Sequence, residues 1–453
     1  MAKRLRAVLA ALLLLPFLVL AAPSRATDYG AMYDDAVLAS RRDSYREIVT
    51  WNLENVFLPK LTPEERRRAQ DLKLDFPLRG PTGGLFEYFA LSQPPRIVMP
   101  ILSLKFFADL SLAYVWLDAN GFTIDTVTDY VSMLKYQDAA RFGGRHPDPL
   151  TALRIPANAA DDPRIDRLYQ KILNESVSFV LLHELGHVVH RHPGYGPGVA
   201  RADARRNEAD ADRFALEILR RVGQPVDGLL FFLLSAAHAV PHRADFADDA
   251  AYGAHLARDT HPLTSERIAA FAATLRTHAA DFGRLQADPA VAAATIRGIA
   301  DRIETLVVPI LADAGQQRLM AMKGRNAGLQ SLAPRRPGEA IAAPSPGGAT
   351  GQAIAFDGVF DGEMNDGTGP LAVRALLRRN GERVLGVYSF GAGQGEIHGI
   401  VQGDTMLFVW RSALGQGRGL ARMSGGGDLQ ASWGNGEDTR GGGTWTARRA
   451  GGR

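Results

Sequence analysis

Residues 174–192 read Asn-Glu-Ser-Val-Ser-Phe-Val-Leu-Leu-His-Glu-Leu-Gly-His-Val-Val-His-Arg-His. Inside that run, His183, Glu184, Leu185, Gly186 and His187 form the pattern HExxH. Residues i and i+4 of a helix share a face, so both imidazoles can reach one metal ion. Glu184 follows the first histidine and can address a water on that metal without ligating it. Two ligands and a general base on one helical turn is the zinc-peptidase arrangement. The pattern alone also fits a buried helix that merely carries two histidines, so a third ligand must come from elsewhere. The chain has no cysteine. Thiolate zinc sites and disulfides are therefore excluded, and the donors must be histidine and carboxylate.

The next acidic pair is Glu208 and Asp212, again i and i+4, within Asn207-Glu208-Ala209-Asp210-Ala211-Asp212. Glu208 is the candidate third zinc ligand. Asp212 is placed to fix a ligand imidazole, because metal-bound histidines donate their other N–H to a carboxylate or carbonyl. Without HExxH the same residues would read as a solvated acidic patch. Asp210 lies off that face. His190 and His192 sit in the last turn of the HExxH helix, where histidines suit the helix dipole and solvent. His261, in Thr260-His261-Pro262, reads singly as a loop histidine, and Arg267 as a surface charge.

The three segments together, HExxH, then Glu-x-x-Ala-Asp at 208–212, then Thr-His-Pro-x-x-x-x-Arg-Ile at 260–268, resemble the HtpX and CAAX-prenyl-endopeptidase family. The resemblance covers about residues 163–280 and points to the soluble, BepA-like branch of these gluzincins. It implies that His183, His187 and Glu208 ligate one Zn2+ per chain, with Glu184 as the base. It further implies Asp212 behind a ligand histidine, His261 near the substrate, and Arg267 bracing its helix against Asp212. Membrane members of that family carry several spanning helices. This sequence offers none after its N-terminal segment, so a prenyl-protein or intramembrane substrate is not expected.

The elements that must position these residues read as a mainly helical chain. Residues 27–95 look mainly helical and polar, with breaks at Pro59, Pro77, Pro81 and Pro94-Pro95. Residues 97–117 are apolar but interrupted by Lys105 and Asp109, which predicts a buried helix and not a membrane span. A further helix is expected over 123–136. Asp162-Pro163 is a helix start leading to HExxH, with a bend near Asn174; Gly223 should end the Glu208 helix, and Pro262 should open the next. Residues 323–352 are rich in Gly, Ala, Pro and Arg and read as a linker. Beyond it, short alternating runs separated by Gly, Asn and Asp predict strands. These are Leu371–Arg378, Val384–Phe390, Glu396–Val401, Thr405–Arg411, Arg418–Met423, Asp428–Trp433 and Gly443–Ala447. Asn380-Gly381 marks a hairpin. Tyr388, Trp410, Trp433 and Trp445 at strand positions read as core more than as a ligand platform.

The fold class expected is therefore α+β, a mainly α-helical zincin-like domain followed by a small antiparallel β meander or barrel. The domains expected are a signal peptide (1–26), an N-terminal helical region (27–160), the peptidase core (161–322), the linker and a β-domain (353–453). A net charge of +3 without a basic run interleaved with aromatics argues against nucleic acid. Lys3, Arg4 and Arg6, the apolar run 7–22 and Ser24-Arg25-Ala26 read as an export signal, with an uncleaved inner-membrane anchor as the alternative. The function expected is a periplasmic or secreted zinc metalloendopeptidase acting on proteins or peptides, with no other cofactor. The alternative is a zinc-stabilised binding or chaperone-like envelope protein with little turnover. The β-domain is expected to recruit, binding an envelope polymer or protein. The export reading predicts a mature N-terminus at Thr27, which N-terminal sequencing of exported protein checks; an intact Met1 in a membrane fraction would favour the anchor.

Overall fold

A computed structural model describes residues 29–193, 201–256, 261–336 and 356–450, apart from 366–368, 381, 391–392, 403, 413–414, 425–426, 436–438 and 440. The export segment at 1–26 and residues 337–352 of the expected linker lie outside the described residues. The helical part holds α1 (Asp35–Asn52), α2 (Ile101–Ala119), α3 (Asp125–Tyr136), α4 (Pro163–His190), α5 (Arg201–Val222), α6 (Gly228–Ala239), α7 (Ser265–Thr277), α8 (Pro289–Arg302) and α9 (Ala314–Asn326), with shorter helical turns between them. Among the described residues, no helix is long and apolar enough to cross a membrane.

The helix α4 is the axis of this part. The Asp162 carboxylate caps it by accepting from the Arg164 N–H, and Pro163 opens its first turn. From Glu175 to Val189 almost every residue is buried, because α2, α5, α6 and a small sheet pack around it. The helix α5 is amphipathic: Glu208, Ala211, Asp212, Ala215 and Leu219 face inward at helical spacing, while Arg206, Arg213 and Arg221 face out or half out. Gly223, at φ +76°, ends it by the left-handed turn expected there. The helix α7 begins at Ser265, three residues after Pro262, because the Thr264 hydroxyl caps it on the Arg267 N–H.

The stretch 27–95, expected to be mainly helical, also holds strand. Strands β1 (Lys73–Asp75), β2 (Phe89–Ser92) and β3 (Pro95–Val98) form a sheet in the order β1-β3-β2, with β1 parallel and β2 antiparallel to β3. Strands of three and four residues are too short to show period-2 alternation, and the prolines around them read as breaks. One hydrophobic core runs from Met32 to Leu332, through both the N-terminal stretch and the segment carrying HExxH. Residues 323–326 complete α9, and Gln137 donates to the Gly324 and Ala327 carbonyls at 2.6 Å each. The start of the expected linker therefore belongs to the helical unit.

The C-terminal part is a closed antiparallel barrel of β4 (Gly358–Asn365), β5 (Pro370–Asn380), β6 (Arg383–Phe390), β7 (Gly393–Gln402), β8 (Thr405–Ser412), β9 (Gly415–Met423), β10 (Asp428–Asn435) and β11 (Gly443–Arg449). Sequential neighbours pair throughout, and β11 returns to β4 to close the ring. Inward side chains alternate with outward ones: Val373, Ala375 and Leu377 fill the interior, while Arg374 and Arg378 do not. Trp445 is in this core, and Tyr388, Trp410 and Trp433 pack against it. Gly419 makes room for Phe408: a Cβ there would lie 2.2 Å from the Phe408 ring. The barrel meets the helical part through Arg383, 2.9 Å from Asp125 and 3.1 Å from Asp129, and through Arg418 paired with Asp313.

A comparable close fit seats α6 on α4. A Cβ at Gly228 would lie 2.7 Å from the Ile172 carbonyl oxygen, and the Gly228 N–H donates to the Glu175 carboxylate at 2.7 Å. Gly228→Ala should destabilise the helical part by about 1–3 kcal/mol through overpacking. Thermal melting with circular dichroism checks this; an unchanged midpoint would show that α6 slides to accommodate the methyl.

Candidate metal centre

The crossing of α4 and α5 brings the two pairs of residues face to face. Gly186 permits it, since a Cβ there would stand 3.0 Å from the Ala211 Cα and 3.2 Å from its carbonyl oxygen. His183, Glu184, His187, Glu208 and Asp212 are all buried. The His183 and His187 Nε2 atoms lie 3.1 Å apart, 3.4 and 3.3 Å from the two Glu208 oxygens. His261 joins them from the loop before α7, its Nδ1 3.0 Å from Glu208 Oε1. One donor atom from each of His183, His187, Glu208 and His261 lies within 4.8 Å of the others, a set that could hold a metal ion.

Asp212 lies behind His183, with its Oδ1 2.9 Å from His183 Nδ1. Arg267, on the first turn of α7, reaches both carboxylates of α5. Its Nη2 donates to Asp212 Oδ1 at 2.8 Å, and its Nη1 stands 2.7 Å from Glu208 Oε2. The expectation paired Arg267 with Asp212; the contact to Glu208 comes in addition.

These contacts set the charges. Burial alone would raise the Glu208 pKa, but His261, Arg267 and the two histidines of α4 hold it well below the usual carboxylate range. Asp212 is likewise raised by burial and lowered more strongly by Arg267 and His183, to about 2. Burial lowers the His183 pKa, and the Asp212 and Glu208 carboxylates raise it past its ordinary value, to about 10. Around His187, burial wins and the pKa falls. The site therefore presents ionised carboxylates beside histidine rings, a nitrogen and oxygen donor set that a divalent cation could take by displacing the His183 proton.

Two features of the chemistry stand out. The Glu184 Oε2 atom is buried and has no hydrogen-bond partner among the described residues. A carboxylate oxygen left so in a polar pocket calls for water or a ligand group. The second is His192, expected at a solvated helix end. It is buried, and its Nδ1 lies 2.9 Å from His187 Nδ1. His190, by contrast, is exposed, stacked on His192 at 5.4 Å and edge-on to Phe214. No sequence signal distinguished these two histidines. What separates them is the left-handed Arg191, whose φ of 54° folds the chain back.

Residues 127–287 match the Peptidase U49 family model. That span begins in α3, includes every residue of the cluster and stops short of the barrel. The match supports a peptidase. No curated protein and no solved structure matches the chain.

The clamp on two buried carboxylates should be costly to break. Removing one partner of a buried ion pair typically costs about 3–5 kcal/mol. Arg267→Met should lose stability of that order in the metal-free protein, as measured by urea denaturation. A variant as stable as wild type would show that His183 and His261 alone neutralise Glu208 and Asp212.

Proposed function

We propose that this chain is a zinc-dependent metalloendopeptidase of the gluzincin kind, similar to the soluble branch of the HtpX and CAAX-prenyl-endopeptidase family. The observation that carries the proposal is the buried Glu184 oxygen without a partner among the described residues, on the same turn as two histidines that converge on Glu208. A purely structural metal site needs no such carboxylate. His183, His187 and Glu208 would hold the ion. Bound there, zinc supplies Lewis acidity, polarising a carbonyl and lowering the pKa of water to about 7.

The residues of the chain do the rest. Glu184 takes a proton from the attacking water and returns it to the leaving amine. Asp212 accepts from the His183 Nδ1–H, which would fix that ring and leave Nε2 free to hold the ion. Arg267 balances the charge of both carboxylates and holds α7 against α5. His261, beside Glu208, is positioned to donate to the oxyanion as the carbonyl is attacked. The substrates in this reading are proteins of the cell envelope, reached after export, and the barrel recruits them or binds an envelope polymer.

One observation favours the runner-up. His261 stands within the same donor set as the three ligands, and four protein donors are the mark of a structural zinc site. Three variants separate the readings. Glu184→Gln should retain about one zinc per chain and lose peptidase activity, and Glu208→Ala should lose the zinc. His261→Ala should keep zinc and slow turnover. Metal content by mass spectrometry and cleavage of unfolded protein are the measurements; full activity in Glu184→Gln would remove the mechanism, and zinc loss in His261→Ala would make that residue a ligand.

A further inference from the structure

The helix α4 does not simply stop after its second histidine. The Arg191 N–H bonds the Val188 carbonyl at 3.0 Å, and the His192 N–H reaches back to the His187 carbonyl at 3.0 Å. With Arg191 left-handed at φ 54°, this is a Schellman-type cap formed by a residue other than glycine. A third restraint comes from the small sheet: the Ser92 hydroxyl at the end of β2 donates to the His192 carbonyl at 2.6 Å. Together they return the His192 ring over the last turn, its centroid 5.0 Å from that of His187 at an interplanar angle of 70°. The two Nδ1 atoms face each other at 2.9 Å.

A hydrogen bond between two imidazole nitrogens needs one proton, and its direction is decided by the other nitrogen of His187. That Nε2 lies among the donors of His183 and Glu208. To ligate an ion through Nε2 the ring must carry its proton on Nδ1. We propose that His192 is a positioning residue for the metal ligand His187, accepting its Nδ1 proton and so fixing the tautomer and ring plane in which Nε2 is offered to the ion. The proposal rests on the zinc reading of this site. It makes the two histidine ligands unequal: His183 donates to the ionised Asp212, His187 to a neutral ring. The neutral acceptor orients its ligand without adding a third anion beside Glu208 and Asp212. It also ties the ligand to β2 through Ser92, since anything that moves that strand moves the ring behind His187.

The test uses the full chain and zinc alone, with affinity read by competition against a chromophoric chelator. His192→Leu fills the space and accepts no hydrogen bond; it should weaken zinc by about 10–100-fold, the usual effect of losing such a partner. His192→Asn offers Oδ1 near the place of Nδ1 and should recover most of that loss, with the visible spectrum of the cobalt-substituted protein returning to the wild-type form. Circular dichroism of the metal-free variants controls for folding. Wild-type affinity in His192→Leu, while Glu208→Ala loses zinc, would overturn this proposal and leave the zinc reading intact. A wild type that takes up no zinc would sink both. Should His192→Leu fail to fold, nitrogen-15 NMR of histidine-labelled, zinc-loaded wild type decides the matter. A proton on His187 Nδ1 and a bare His192 Nδ1 are expected, and a proton on His192 Nδ1 overturns the assignment.

Discussion

The site depends on keeping Glu208 and Asp212 ionised one helical turn apart where little water reaches them. A buried carboxylate is tolerated only if its charge is paired and its oxygens are bonded. Arg267 meets that demand for both at once, with His183, His187 and His261 taking the remaining directions. The consequence is geometric as well as electrostatic. Arg267 leaves α7 one residue before Ile268, which is buried in the core, so the packing of α7 sets where the guanidinium stands. Two elements distant in sequence, α5 and α7, are thus held together by a single side chain, and α4 joins them through His183 and His187.

His183, His187, Glu208 and Asp212 were legible as candidates because their spacing is local, whereas His261 and Arg267 came only from the family resemblance. Two histidines at i and i+4, and two carboxylates at i and i+4, define faces whatever the tertiary fold. The contact of Arg267 with Glu208 was not legible, since it follows from how α5 and α7 cross. His192 was missed for a related reason: dipole and solvent arguments apply to a helix end in isolation, and the backward turn at Arg191 is made by a residue with no left-handed preference. The barrel strands were readable from Gly-punctuated alternation, with β4 the exception. Asp357-Gly358 and Asp361-Gly362 suggest turns there, yet Gly362 is mid-strand. A Cβ at that position would lie 2.0 Å from the Thr446 carbonyl oxygen, so the glycine serves a close approach between strands.

The relation of the two parts is less separate than the composition suggests. The helical core takes in Ala327 and Leu332, beyond α9. The barrel in turn places Arg383 and Arg418 on Asp125, Asp129 and Asp313 of that unit. Arg418 is almost fully buried, and its guanidinium occupies the space beside Gly315 at the start of α9. The barrel is therefore seated on the helices by charge and shape, with α9 as the shared member.

Closure of the barrel has a bearing on how such a chain survives its own chemistry. Cleavage of a folded segment waits for that segment to open. Because β11 pairs with β4, every strand of the barrel is hydrogen-bonded on both sides. An open sheet would expose an edge, which frays first and presents ready-extended backbone. The ring has no such end to fray from. For a peptidase concentrated enough to meet its own copies, a closed appendage is a self-sparing one.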